Sequence, residues 1–219
     1  MTAIIRPVET VYDGYRFRSR LEARWAVFFK SLGVRYEYEP EGFMTEAGPY
    51  LPDFRVTCCA KRGGDCRPFP LYIEVKGRMD AASAARIKAF SHYNAGHDRG
   101  RQALLIVGDV PDIRHAHDIF DSRATGSYDT MGFGLYPMNY ETVDGDHFAA
   151  YPCVDDGRFG LLGDDLHYIE WGDHLRTAYS YIAARRARFE HGEQPVTAPV
   201  DGRGRLRLLK AQEMFGAII

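Results

Sequence analysis

The sequence predicts an α/β fold in which a helix leads into three strands and a second helix returns the chain to a fourth. Three observations carry that expectation: apolar residues recur at helical spacing near the amino terminus, three later segments alternate with period two, and an alanine-rich stretch runs into a continuous apolar one. The 219 residues are 45% hydrophobic and 26% charged, which suffices to bury a core and excludes the fibrous and disordered classes.

The elements follow in order. Tyr12-Asp-Gly-Tyr-Arg-Phe17 sets turn chemistry at Asp13-Gly14 ahead of alternation and reads as a short hairpin. Ser19 is a helix cap, Leu21, Trp25, Phe28, Phe29 and Leu32 share one face, and Gly33 is a stop signal, so a helix spans 20–32. Val34 to Glu39 alternates and ends at Pro40; Leu51 to Thr57 and Leu71 to Lys76 give two more strands, with the turn-rich Lys61-Arg-Gly-Gly-Asp65 between them. Three strands in succession imply an antiparallel meander. Asp80 caps a helix over 81–94 with Ile87 and Phe90 inward, and Ala103 to Val107 has the composition of a strand buried on both faces. Beyond Gly108 no element can be assigned until Leu175, Ala178, Tyr179, Ile182 and Phe189 mark a helix ending near Gly192. The expected organisation is a core over 1–108 and a C-terminal extension over 109–219, an acidic segment followed by a basic helix, packed on that core.

Charge excludes little. The 28 Lys and Arg against 30 Asp and Glu give −2, but residues 1–108 carry +5, residues 109–173 carry −11 and residues 174–219 carry +4. Two basic segments flank an acidic one, and a fold can place them on one face. No apolar run approaches the roughly 18 residues of a membrane span, and Met1-Thr-Ala-Ile-Ile-Arg6 lacks the length and cleavage site of a signal peptide, so a cytoplasmic protein without a membrane partner is expected. The four cysteines contain no Cys-x-x-Cys; Cys58, Cys59 and Cys66 are either reduced thiols or, with a histidine, a zinc clip. Cys153 has no adjacent base, and His115-Ala-His117 reads as a solvated pair.

The chemistry concentrates in three acids and a lysine. Period two puts Glu74 and Lys76 on one face of a strand whose Ile73 and Val75 face the other way. Asp53 is likewise embedded in an apolar run, and paired strands would bring it to Glu74 as oxygen ligands of one hard cation, Mg2+ or Mn2+. Glu22 borders the buried stripe of the first helix, where a half-buried carboxylate needs a partner, and a shared metal would compensate all three acids.

Pro52-Asp53 followed by Glu74-Val75-Lys76, in a helix-strand-strand-strand-helix-strand order, resembles the PD-(D/E)XK nuclease superfamily with its restriction-endonuclease-like core. Phe17-Arg-Ser-Arg-Leu-Glu-Ala-Arg-Trp-Ala26, Tyr38-Glu-Pro-Glu-Gly-Phe43 and Tyr50-Leu-Pro-Asp-Phe54 are similar to small uncharacterised members encoded in phage and bacterial genomes. The resemblance covers about residues 12–108, with an echo at Ala187-Arg-Phe-Glu-His-Gly192. It implies that Asp53 and Glu74 bind the metal together with the carbonyl of Val75, that Lys76 positions or polarises the attacking water, and that Glu22 supports the metal directly or through water. The activity implied is metal-dependent hydrolysis of DNA phosphodiester bonds in a bacterial cell or phage-infected host. A homodimer is a further expectation for a nuclease that cuts both strands, although no self-complementary patch is visible. The family also uses a residue on the following helix, here Lys88 or His92.

Arg16, Arg18, Arg20 and Arg24 cluster around the first helix among Tyr15, Phe17 and Trp25, and Arg185 and Arg188 lie in a second basic run; both suit phosphate contact, against the alternative of ordinary ion pairs. A rival reading keeps the fold without cleavage, as a nucleic-acid-binding or protein-binding module in phage-host conflict or DNA processing, with the acidic 109–173 segment as a docking surface for a protein partner.

Overall fold

A tight turn, a serine cap and one glycine set the entry to the fold. Asp13 and Gly14 both have positive φ, 49° and 84°, as a two-residue hairpin turn with the twist of its strands requires, and β1 (Thr10–Tyr12) pairs antiparallel with β2 (Tyr15–Phe17). Ser19 Oγ accepts a hydrogen bond from the Glu22 N–H at 3.2 Å and opens α1 (Arg20–Leu32). Gly33, at φ 77°, closes it by donating to the carbonyls of Lys30 and Phe29. The structure, a computed structural model, describes residues 8–62, 65–78, 80–97, 103–110, 151–155, 158–162, 174–190, 193 and 195.

A four-stranded sheet in the order β3-β6-β7-β8 forms the centre of a mixed α/β fold. β3 (Tyr36–Tyr38), β6 (Phe54–Arg62) and β7 (Asp65–Val75) pair antiparallel, as the alternation predicts, and β8 (Ala103–Val107) joins β7 in parallel after α2 (Ala81–His97). Asp80 caps α2 by accepting from the Ser83 N–H at 2.7 Å. Two hairpins have no counterpart in the sequence expectation. β4 (Phe43–Thr45) and β5 (Gly48–Tyr50) interrupt the meander between β3 and β6, and β9 (Tyr151–Asp155) pairs with β10 (Arg158–Leu162) inside the stretch to which no element was assignable.

Strand boundaries also move. The second strand of the meander starts at Phe54 rather than Leu51, leaving Asp53 at its mouth, and β6 and β7 run on through the region expected to be a loop. Pro68 and Pro70 do not break β7 there: β8 pairs only with Leu71–Val75, so among the described residues no strand asks for an N–H from the earlier part of β7 on that side.

The sheet is covered on both faces. Phe54, Val56, Leu71, Ile73, Val75, Leu105 and Val107 pack with the apolar stripe of α1, while Tyr72, Leu104 and Ile106 pack with Ile87 and Phe90 of α2 and with Tyr50. The alternation of Leu104 to Val107 between these two clusters is why that strand is apolar throughout. Trp25, Phe28 and Phe29 are at most 1% exposed, and burial of side chains of this size contributes about 1.5–3 kcal/mol each.

A third helix, α3 (His174–Arg186), lies against α1 and puts Tyr181 in the same core, its ring 4.4 Å from that of Phe28 and 6.1 Å from that of Trp25. It ends six residues before the Gly192 stop signal. Phe189, which fits the helical spacing, instead leaves the helix and meets Tyr12 edge-on at 6.0 Å. Cys58 is buried in the core, whereas the side chains of Cys59, Cys66 and Cys153 and residues 111–150 lie outside the described residues, as do His115 and His117. No helix among the described residues is long and apolar enough to cross a membrane.

Candidate functional site

The end of β7, the mouth of β6 and the amino terminus of α1 meet at one end of the two central strands. Gly77, just past β7, lies so close to α1 that a Cβ there would stand 3.4 Å from Leu21 Cδ2. Phe54 pairs with Ile73, and the preceding and following residues, Asp53 and Glu74, come side by side on the opposite face.

Asp53 and Glu74 are 3% and 4% exposed, and each carboxylate has one oxygen held by a neutral donor and the other by a cation. Asp53 Oδ2 accepts from the Val75 N–H at 2.7 Å, and Oδ1 from Arg18 Nη2 at 2.9 Å. Glu74 Oε2 accepts from the Tyr50 hydroxyl at 2.7 Å, and Oε1 lies 2.5 Å from Lys76 Nζ. The Asp53 backbone is fixed too, its carbonyl accepting from the Glu39 N–H at 2.9 Å. Burial, then the charges of Glu74 and Glu22, push the Asp53 carboxyl up to about 8 against the opposing pull of the Val75 N–H and Lys76. The acids therefore stand close enough to compete for negative charge.

Glu22 is buried nearby but otherwise engaged. Oε1 accepts from Ser19 Oγ at 2.7 Å, and Oε2 from the Tyr38 hydroxyl at 2.6 Å and from the Arg18 N–H at 3.1 Å. It stabilises the start of α1 and adds to the field around Asp53. Among the described residues no three His, Cys, Asp or Glu side chains form a group able to hold a metal ion; the close pair is Asp53 with Glu74.

The expected phosphate-binding arginines divide. Arg18 turns inward, bridging Asp53 and Glu39, whose Oε1 lies 2.7 Å from Arg18 Nε. Arg16 pairs with Glu9 and Arg20 with Glu190, both pairs exposed. Arg24 is half-buried, Arg185 Nη1 donates to the Val110 carbonyl at 2.8 Å, and Arg188 is exposed on the chain after α3. Lys88 is exposed on α2, and the His92 side chain lies outside the described residues.

Sequence reasoning missed Tyr50, Tyr38 and Glu39. Tyr50 stacks on Phe90 with ring centroids 4.4 Å apart and presents its hydroxyl to Glu74. Burial and the Glu74 charge raise its pKa far above the ordinary phenol value, so it remains a donor. The readable signal was the alternation of Tyr36 with Tyr38 and the aromatic just before Leu-Pro-Asp-Phe. Tyr50→Phe should keep the stacked ring but leave Glu74 Oε2 without its donor, lowering stability by about 2 kcal/mol in urea denaturation. A loss below about 0.5 kcal/mol would mean that Glu74 has another donor within reach.

No family model, curated protein or solved structure matches this chain.

Proposed function

We propose that the protein is a metal-dependent nuclease that hydrolyses phosphodiester bonds in DNA on a restriction-endonuclease-like core of PD-(D/E)XK type. The observation that supports this most is the buried Asp53–Glu74 pair with Lys76 beside it, at the end of the central strands where β6 and β7 meet α1. Two mutually repelling carboxylates next to an ammonium do little for stability, and such arrangements are retained where a charge must be bound or moved.

The donor set suits a hard divalent ion. Asp53 Oδ1 and Glu74 Oε1 already carry cationic partners, and their other oxygens are anchored by Val75 and Tyr50, so the pair is preorganised for positive charge. Asp53, Glu74 and the Val75 carbonyl would hold the ion, with Glu22 supporting it through water or through its field at Asp53. A bound Mg2+ or Mn2+ ion neutralises charge on the scissile phosphate and lowers the pKa of its water. Lys76 orients the attacking water and stabilises the negative charge that develops at phosphorus. The exposed arginines Arg16, Arg20 and Arg188 contact the DNA backbone at its phosphates, and a second copy of the chain would serve to cut the opposite strand.

Linear and branched DNA incubated with Mg2+ or Mn2+ should be cleaved, and EDTA or Asp53→Asn should stop it. Cleavage that persists in Asp53→Asn sinks the reading. The pairing of both acids with Arg18 and Lys76 favours one alternative, a non-cleaving DNA-binding or protein-binding module in which cationic side chains have taken the ion's place. Calorimetry separates the two: the nuclease binds Mn2+ near neutral pH and the module does not.

A further inference from the structure

Arg18 is the one basic side chain of the amino-terminal cluster that reaches the buried acids. Its guanidinium spans two carboxylates, Nη2 at 2.9 Å from Asp53 Oδ1 and Nε at 2.7 Å from Glu39 Oε1, while more than half of the side chain, 57%, is exposed. Asp53 is buried, its carboxylate fixed by the Val75 N–H and its backbone carbonyl by the Glu39 N–H, so Asp53 stays in place if the arginine leaves. The Arg18 backbone is held separately, by the Glu22 carboxylate and the Tyr38 hydroxyl. The side chain is thus a movable arm on a fixed base.

We infer that Arg18 is a placeholder at the metal site: its guanidinium occupies Asp53 Oδ1 in the metal-free chain, yields that oxygen when a divalent ion binds, and then takes a backbone phosphate of the DNA. The inference rests on the proposed metal-dependent reading and adds a positioning residue that couples ion and substrate. A guanidinium and a divalent ion drawn to the same carboxylate oxygen repel each other, so an ion at about 2.0–2.6 Å loosens the Arg18 pair and Arg18 weakens the ion's hold. The planar fork that matches a carboxylate also matches a phosphate, so the released group is already suited to its next partner. Because binding free energies are linked, DNA should tighten ion binding by the same factor that the ion tightens DNA binding.

Titration of Mn2+ into the DNA-free chain by calorimetry tests the first half. Arg18→Ala, which removes the competitor and leaves the backbone contacts in place, should bind Mn2+ about tenfold more tightly than the wild type, since a hydrogen bond to a charged group no longer has to be broken. Arg18→Lys, which keeps the charge without the fork, should fall between them. Wild-type binding with unchanged or weaker binding in Arg18→Ala overturns the inference and leaves the metal site standing. No Mn2+ binding by either protein removes the metal site, and the inference with it. For the second half, DNA binding is measured in a Lys76→Ala background to avoid hydrolysis. Arg18→Ala should lower the salt dependence by about one phosphate contact in Mn2+ and leave it unchanged in EDTA. An equal effect in both conditions means that Arg18 does not switch partners.

Discussion

Lys76→Ala should, on the proposed nuclease reading, abolish Mn2+-dependent DNA cleavage, by about a thousandfold or more in single-turnover assays, with the fold intact. Lys76 follows β7 directly and its N–H donates to the Val107 carbonyl at 2.8 Å, a backbone contact that alanine keeps. Its side chain is 27% exposed, and truncation leaves Glu74 Oε1 without its cation, so urea denaturation accompanies the assay to show that the variant is folded. The ammonium, however, is the positive group nearest the paired acids, and losing one preorganised charge aimed at a developing anion lowers rates by roughly 10²–10³, with a further factor where that group also orients the attacking water. Lys76→Arg should rescue poorly, because a broad guanidinium cannot take the place of a compact ammonium 2.5 Å from Glu74 Oε1. Cleavage within tenfold of wild type in Lys76→Ala would falsify the role given to this residue.

The second large effect is on stability and has the opposite sign from that of an ordinary salt-bridged carboxylate. In the metal-free chain the Asp53 carboxyl is pushed up to about 8, by burial first and by Glu74 next, whereas in the unfolded chain it titrates near 3.8. Between those values the folded state holds the proton that the unfolded state has released. Stability from this group is complete below about pH 4 and is lost progressively as pH rises toward 8. From pH 5 to pH 8 the loss should be on the order of 1 kcal/mol or more. Asp53→Asn has no such proton to lose, and its amide oxygen can still accept from the Val75 N–H, so the variant should show a flat profile and surpass the wild type near pH 8. Urea denaturation of both proteins across this range in EDTA measures the difference, and saturating Mg2+ should flatten the wild-type curve by supplying the missing positive charge. A wild-type profile that rises toward pH 8 in EDTA would show that Arg18 and Lys76 already neutralise the site.

What was legible in the sequence was what local physics determines. The stretch from Ser19 to Gly33 carries its own cap, its own apolar stripe and its own stop, and α1 has those bounds. Glu74 and Lys76 share a face because strand periodicity leaves no other choice, and Asp53 reaches Glu74 because Phe54 pairs with Ile73. The missed parts depend on partners distant in sequence. The β4–β5 hairpin has three-residue strands with Gly48 and Pro49 in one of them, too short and too irregular for periodicity, and it holds its place through Phe43 and Tyr50 packing on Phe90. Tyr50 therefore has no role assigned from the sequence, and its hydroxyl is the donor that anchors Glu74. Arg18 was expected to contact phosphate, because nothing in its neighbourhood along the chain announces Asp53, 35 residues later. Glu22 was expected at the metal, but its spacing from Ser19 is also that of a cap reciprocated from the third helical position; Oε1 takes that local role, while Oε2 is held by the Tyr38 hydroxyl and the Arg18 N–H.

The packing of α3 on α1 has a consequence for how the chain is made. Phe28 and Tyr181 touch across about 150 residues of sequence, so at roughly 5–20 residues per second a ribosome would need on the order of 8 to 30 seconds between releasing one and the other. All the residues of the acid pair, its lysine and both tyrosine donors emerge in that interval, while the aromatic face of α1 waits uncovered. The candidate site can thus be assembled well before the core beneath it is closed, and the exposed Trp25–Phe28 surface is where a nascent or prematurely truncated chain would be caught by a chaperone or by another copy of itself.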